Sequence, residues 1–242
     1  MTEQYFRHYP TIEFDLKNDG ELIEAKDIFR NIRVSEDAEE GLTGYEYYYV
    51  GDQDRPDVLA DKLYADSTLY WLFWMVNPHL ATYNDWPKSQ RVLEKYIARK
   101  YSGKALVSNQ QSDIVSSSDS KFFQGEKVVG STSSAFGFVT KIDPTNNQLV
   151  LNDIQGQFIV GETVTGSNSS KSFIINSVRN FSDSPHHYED SEGTKTTIST
   201  GNTPVSNFDY EQTFNDDKRN IKYIKLEFVP ELLRQFKSMI RE

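Results

Sequence analysis

The stretch Tyr45-Glu46-Tyr47-Tyr48-Tyr49-Val50 decides the fold, with the turn Gly51-Asp52-Gln53-Asp54 and the segment Arg55-Pro56-Asp57-Val58-Leu59-Ala60-Asp61-Lys62-Leu63-Tyr64 behind it. A tyrosine-rich run suits a strand. Pro56 followed by Asp57 is the order that opens a helix, because proline fits the first turn and an acid complements the helix dipole there. Val58, Leu59, Leu63 and Tyr64 then fall on one face. Ser67 is the expected N-cap of Thr68-Leu69-Tyr70-Trp71-Leu72-Phe73-Trp74-Met75-Val76, a segment apolar all round, hence buried, that stops at Asn77-Pro78. From Ser89 to Tyr101 an amphipathic helix puts Val92, Leu93, Tyr96 and Ile97 on one stripe and ends on Arg99 and Lys100. One strand and three helices so close in sequence predict a small packed unit.

Composition bounds the rest. The chain has 242 residues, room for two folding units, each able to bury a core without staples. It has no cysteine, which excludes disulfides, thiolate metal sites and cysteine nucleophiles. A net charge of -10 argues against general nucleic-acid binding, which needs Lys and Arg to neutralise phosphates. No apolar run approaches the roughly 20 residues that span a bilayer, and no secretion signal follows Met1, so a soluble, membrane-free protein is expected. Aromatics make up 13%, with fourteen Tyr, a residue type that serves both cores and wet interfaces; this favours an assembly component.

Upstream, Tyr5, Phe6, His8 and Tyr9 precede Pro10, and Ile12-Glu13-Phe14-Asp15-Leu16 alternates like a half-buried strand before the turn Asn18-Asp19-Gly20. This arm docks either on its own domain or on a neighbouring subunit. Asp27 to Val34 reads as a short helix or an extended connector, and Glu36-Asp37-Ala38-Glu39-Glu40 as a solvated acidic loop.

From Ser102 the composition turns to Ser, Asn, Gln, Gly and Asp, with Ser116-Ser117-Ser118 as linker. Two related segments follow at an offset of 36 residues, Phe122 to Ser131 and Phe158 to Ser167. In each, Phe precedes Gly-Glu, an alternating stretch leads to Gly-Ser and a Ser-Ser pair, and a second strand follows, Phe136 to Ile142 or Ser172 to Val178. With a strand at Gln148 to Ile154, this predicts a compact antiparallel β unit built on a duplicated hairpin. The repeated Gly-Glu reads as a turn glycine and a strand-edge charge, not a catalytic pair. The Gly-Ser loops read as hairpin turns, since neither has the Lys and following helix that cradle phosphate.

The polar stretch between Asn180 and Asn220 reads as an extended loop or arm with a short hairpin. His186, His187, Glu189 and Asp190 form the best ligand cluster in the chain, but neighbouring histidines on a strand point to opposite faces, so no metal is expected. Ile221 to Val229 reads as a strand, and Pro230 opens a helix whose stripe is Leu232, Leu233, Phe236, Met239 and Ile240, packing in cis or in trans.

The order of tyrosine strand, Arg55-Pro56-Asp57, Leu69-Tyr70-Trp71, Asn77, Trp86-Pro87 and Lys100-Tyr101 resembles a LysM-type module, and in detail the LysM-like baseplate wedge proteins of T-even-type contractile-tailed bacteriophages. Asp27-Ile28-Phe29-Arg30-Asn31 and Lys218-Arg219 before Ile221 agree with that family. The resemblance covers the first hundred or so residues and roughly the last thirty. It does not cover the middle, so the β unit is read as an insertion, and the fold expected is α+β: an N-terminal arm and LysM-like domain with helical packing (1–104), a small inserted antiparallel β domain (105–181), and an extended arm with a C-terminal strand and helix (182–242). It also implies a structural, non-enzymatic subunit without cofactor, located in the virion tail baseplate and assembled in the host cytoplasm. Its partners would be other wedge proteins, including a sheath-initiator-like subunit, with neighbouring wedges joined around the hub. The expected interface residues are Arg30, Arg55, Arg99, Lys100 and Phe236, with Tyr47, Tyr48, Tyr49, Trp71, Trp74 and Trp86 as the aromatic framework. The alternative takes LysM literally, as a peptidoglycan-binding module of a tail-associated protein.

Overall fold

A computed structural model describes residues 5–28, 44–108, 122–196 and 201–241. Arg30, most of the connector to Val34, the acidic run Glu36 to Glu40 and the Ser116-Ser118 linker lie outside these residues. The protein is a mixed α+β chain of two compact units, Met1–Ser89 with Asn215–Glu242, and Gln90–Phe214. The second unit therefore takes in residues on both sides of the 105–181 segment.

In the first unit a 3-10 turn (Tyr5–His8) leads into a hairpin of β1 (Thr11–Phe14) and β2 (Ile23–Lys26), then β3 (Tyr45–Tyr49), α1 (Pro56–Tyr64) and α2 (Leu72–Val76). Pro56 sits at the start of α1, and Ala65 closes it in the left-handed conformation, φ 55°. The apolar segment before Asn77 begins as a 3-10 helix (Ser67–Trp71) that becomes α only at Leu72. Its cap is Asp66, not Ser67: the carboxylate accepts from the Thr68 N–H at 2.9 Å and the Thr68 hydroxyl at 2.6 Å. A carboxylate is the stronger acceptor for a helix start, so it takes the role from the neighbouring hydroxyl.

The second unit opens with α3 (Gln90–Lys100) and β4 (Lys104–Val107). The duplicated hairpins are β5 (Lys127–Gly130) with β6 (Phe136–Asp143), and β8 (Thr163–Gly166) with β9 (Ser172–Ile174); β7 (Gln148–Gln155) lies between them in sequence. β5 pairs with β8 so that Val128 faces Gly166 and Gly130 faces Val164, a register in which each pair is the 36-residue image of the other. The second copy is cut short at Ile174, and β10 (Ser177–Asn180) pairs instead with β4. The sheet order β10-β4-β7-β6-β5-β8-β9 thus begins and ends on strands joined only by Ile175 and Asn176, so the sheet curls round on itself. Leu106, Phe122, Val128, Val139, Leu149, Leu151, Val164, Phe173 and Ile175 fill its interior.

The repeated Gly-Glu does not end in a strand-edge charge. Glu126 and Glu162 are 2% and 5% exposed. The Glu162 carboxylate accepts from the backbone N–H groups of Thr132 (3.1 Å) and Ser133 (2.9 Å) and from the Ser133 hydroxyl, all in the loop of the other copy, and from Ile159 N–H in its own. Glu126 reciprocates on Asn168 (3.2 Å) and Ser169 (3.1 Å), with Phe123 N–H in its own copy. A Cβ on Gly130 would stand 2.7 Å from the Glu162 carboxylate, and one on Gly166 would stand 2.5 Å from that of Glu126. The loop glycines are therefore sockets for the opposite glutamate.

After β10, β11 (Pro185–Glu189) is flanked by β12 (Lys195–Thr196) and β13 (Thr203–Ser206), and α4 (Asn207–Asp217) follows, its last turn belonging to the first unit. The first unit resumes with β14 (Asn220–Ile224), which pairs antiparallel with β3, and α5 (Val229–Arg241). The outer edge of β14 is closed by side chains: Asn77 donates to Lys222 C=O and accepts from Lys222 N–H, each at 2.8 Å, and the Tyr64 hydroxyl accepts from Ile224 N–H. Arg219 is 7% exposed and donates to the carbonyls of Val50 and Lys88 and to Asp52 and Asp216, tying the returning chain to the ends of β3 and of the Trp86 loop. Leu59, Tyr64, Trp71, Leu72, Phe73, Val76, Trp86, Ile221, Phe236 and Ile240 form the core.

Candidate interface surfaces

Two kinds of aromatic result from this packing. Trp71 (7%) and Trp86 (9%) are core, while Tyr47 (66%) and Tyr49 (65%) stand out on the side of β3 away from it. Strand alternation separates them: Tyr48 turns inward, its hydroxyl donating to Asp54 at 3.0 Å and accepting from the Lys62 ammonium at 3.1 Å. Trp74 is intermediate. Its indole N–H is satisfied by the Thr82 carbonyl (2.9 Å), and its ring stacks on Tyr83 at 5.7 Å and 15°. With Tyr5, Phe6 and Tyr70, these two rings line an open cleft of about 450 Å³. The Thr82 to Asp85 turn beneath it is fixed by a capping box, and the Lys218 ammonium 2.8 Å from Asp85 holds that carboxyl down to about 2.

The residues expected at an interface do not converge. Arg55 is exposed at the N-cap of α1 and forms a two-pronged pair with Asp57, at 3.2 and 2.9 Å. Arg99 is exposed in the last turn of α3. Lys100 is engaged within its own unit: its ammonium lies 2.6 Å from Glu211, whose side chain is 6% exposed, and over the rings of Tyr96 and Tyr101. Burial alone would lower the Lys100 pKa, but Glu211 and Tyr96 outweigh it and raise it above the ordinary ammonium value. Burial and the same Glu211 push the Tyr101 hydroxyl up to about 12. Phe236 is a correction: at 1% exposure it packs between Tyr5 and Trp71, with ring centroids at 5.6 and 4.7 Å. Phe236 and Ile240 of the α5 stripe reach their own unit's core in cis, with Leu232 and Leu233 packed partly against it, while Met239 stays 44% exposed.

The histidine pair also departs from strand geometry. A bulge between Pro185 and His187 rotates both imidazoles to the same side, so their Nδ1 atoms lie 2.9 Å apart. His187 Nε2 meets Glu189 at 3.1 Å, and the His186 ring stacks on Tyr210 at 3.8 Å. Among the described residues no group of three or more His, Asp or Glu could hold a metal ion, and no helix is long and apolar enough to cross a membrane.

What sequence reasoning missed is apolar and exposed. The residues expected at contacts are four cations and Phe236, whereas the structure leaves Tyr47, Tyr49 and Tyr83 in solvent, along with Phe14, Leu16 and Ile23 of the arm for which a neighbouring subunit is one expected partner. The signal for the first two was present in the alternation of β3.

A family model described as base plate wedge protein 53 matches residues 5–165. The chain is 31% identical over 101 residues to the baseplate wedge protein gp53 of Enterobacteria phage T4, a match that takes in 40% of this chain and 50% of that protein. The chain thus spans about half the length of the curated relative it matches. The family match reaches past residue 104 into the β segment, where the resemblance was expected to stop, and ends before the C-terminal strand and helix.

Proposed function

The chain belongs to the base plate wedge protein 53 family, and from that premise we propose that it is a structural subunit of a contractile-phage tail baseplate, joining neighbouring wedges around the hub by protein contacts. It works by binding, without turnover or cofactor, in the virion after assembly in the host cytoplasm. Its partners are other wedge proteins, including a sheath-initiator-like subunit. The first unit is LysM-like in this reading, and residues 105–181 are an insertion carried with their flanks. The observation that carries the reading is the family match over residues 5–165. Exposed tyrosines beside a rigid core support it, since Tyr is enriched where proteins meet. Contacts through Arg55 and Arg99 belong to the same proposal.

Size-exclusion chromatography with light scattering, on the purified chain alone and mixed with tail proteins of the same particle, tests it. Co-elution with tail proteins is the expected result. A monomer that retains only cell-wall fragments would install the second reading, glycan binding, which the Trp74, Tyr83 and Tyr70 cleft favours.

A further inference from the structure

The hairpin β1–β2 has one face made wholly of apolar residues. The register sets Ile12 opposite Ala25 and Phe14 opposite Ile23, and Leu16 continues the row. No other described element layers over this face: Phe14 is 42% exposed, Ile23 47% and Leu16 68%. A two-stranded hairpin without a packed face is marginal in water, yet this one is held in shape from both ends. At its base, Tyr9 is buried in the core, its carbonyl accepts from the Lys26 ammonium at 2.7 Å, and Asp27 N–H donates to Pro10 C=O. At its tip the Asp15 carboxylate accepts from the N–H groups of Asp19 (3.2 Å) and Gly20 (2.8 Å). The apolar row is therefore presented by a built scaffold.

The opposite face and the tip are predominantly acidic. Glu13 lies directly across from Glu24, a like-charge pairing that weakens a hairpin standing alone, and neither has a counter-ion among the described residues. Asp15, Asp19 and Glu21 add to them, against Lys17 and Lys26. An exposed apolar strip on a hairpin that carries five carboxylates against two ammonium groups fits a surface of the complementary kind. We propose that this hairpin is an arm that docks on a neighbouring protein of the particle, on an apolar patch rimmed with Lys and Arg. The inference rests on the wedge reading and gives it a contact surface.

The test uses the full chain and two variants, Phe14→Ser with Ile23→Ser, and Glu13→Lys with Glu24→Lys, each assayed for capture of tail proteins and for thermal unfolding. The first is expected to lose capture by about tenfold or more, the second to lose it most at low salt, and both to unfold within about 2 °C of wild type because the hairpin lies outside the core. Should a variant unfold, amide exchange in the wild-type chain decides: protection of Thr11–Phe14 and Ile23–Lys26 on complex formation supports the arm, and unchanged exchange overturns it. Capture by both variants at the wild-type level overturns the arm and leaves the wedge reading standing. A wild-type chain that captures no tail protein removes both. Dimerisation of the wild type that the first variant abolishes replaces the neighbouring protein with a second copy and overturns the proposal as stated.

Discussion

The two units are held together by different chemistry. The first closes two distant stretches of sequence around rings and aliphatic side chains, with Trp71, Phe73, Trp86 and Phe236 at its centre. The second has an apolar interior too, but buries Glu126 and Glu162 beside it and closes its loops on them. Apolar burial is non-directional and tolerates repacking. A buried carboxylate is directional, and removing it strands every donor that faced it. The first unit should therefore answer to lost volume and the second to lost acceptors.

All three tryptophans lie in the first unit, so their fluorescence reads it selectively. Phe236→Ala is expected to cost about 3–5 kcal/mol there, the toll of emptying an aromatic site in a packed core, visible as a lower urea midpoint by tryptophan fluorescence. A loss under about 1 kcal/mol would mean that the core collapses freely and the contrast is false. Glu162→Ala comes next. It leaves the N–H groups of Ile159, Thr132 and Ser133 without their acceptor, at about 2 kcal/mol, and should broaden the NMR amide signals of that loop while the tryptophan midpoint holds. Movement of the tryptophan midpoint by a similar amount would break the contrast. The smallest effect is one of pH. Burial opposes ionisation of Glu162, but the N–H groups of Ile159, Ser133 and Thr132 and the Ser133 hydroxyl outweigh it and hold its carboxyl below the usual carboxylate range. Its contribution is thus fully present above the unfolded pKa of about 4.3 and is lost as pH falls below that value through the folded one. Circular dichroism of the strand signal under acid titration should show a flatter acid limb in Glu162→Gln; an unchanged limb would mean the carboxylate is not the acid-sensitive group.

Much of the first unit was legible. The Arg55-Pro56-Asp57 start, the buried run before Asn77 and the β3–β14 strands follow from local rules that tertiary packing then endorses, although the strand expected from Ile221 to Val229 stops at Ile224 and gives way to a 3-10 turn at Leu226–Phe228. The miss was α4, read as part of an extended arm. Its inward positions are Asn207 (2%), Glu211 (4%) and Asn215 (5%), so the apolar period that marks a helix is replaced by polar residues with specific partners. Only Ser206 and Asp209, which cap each other across its first turn, announced it. The bulge at His186 was hidden for a similar reason, since register shifts depend on the partner strand and not on the strand's own alternation. Among site residues, Phe236 was legible as part of a stripe but not as to what the stripe would meet. The apolar row on β1–β2 spans two strands and becomes one face only when their register is known.

The exchanged glutamates bear on how this duplication can evolve. Each copy keeps its own loop but has handed over the residue that closes it, so neither half retains a complete set of parts. A change at Gly130 is answered at residue 162, and one at Gly166 at residue 126, across 32 and 40 positions of chain. Selection therefore acts on the four positions as two crossed pairs. Trimming the repeat back to a single copy would leave one socket without its key and one key without its socket, which makes the doubling easy to keep and hard to undo.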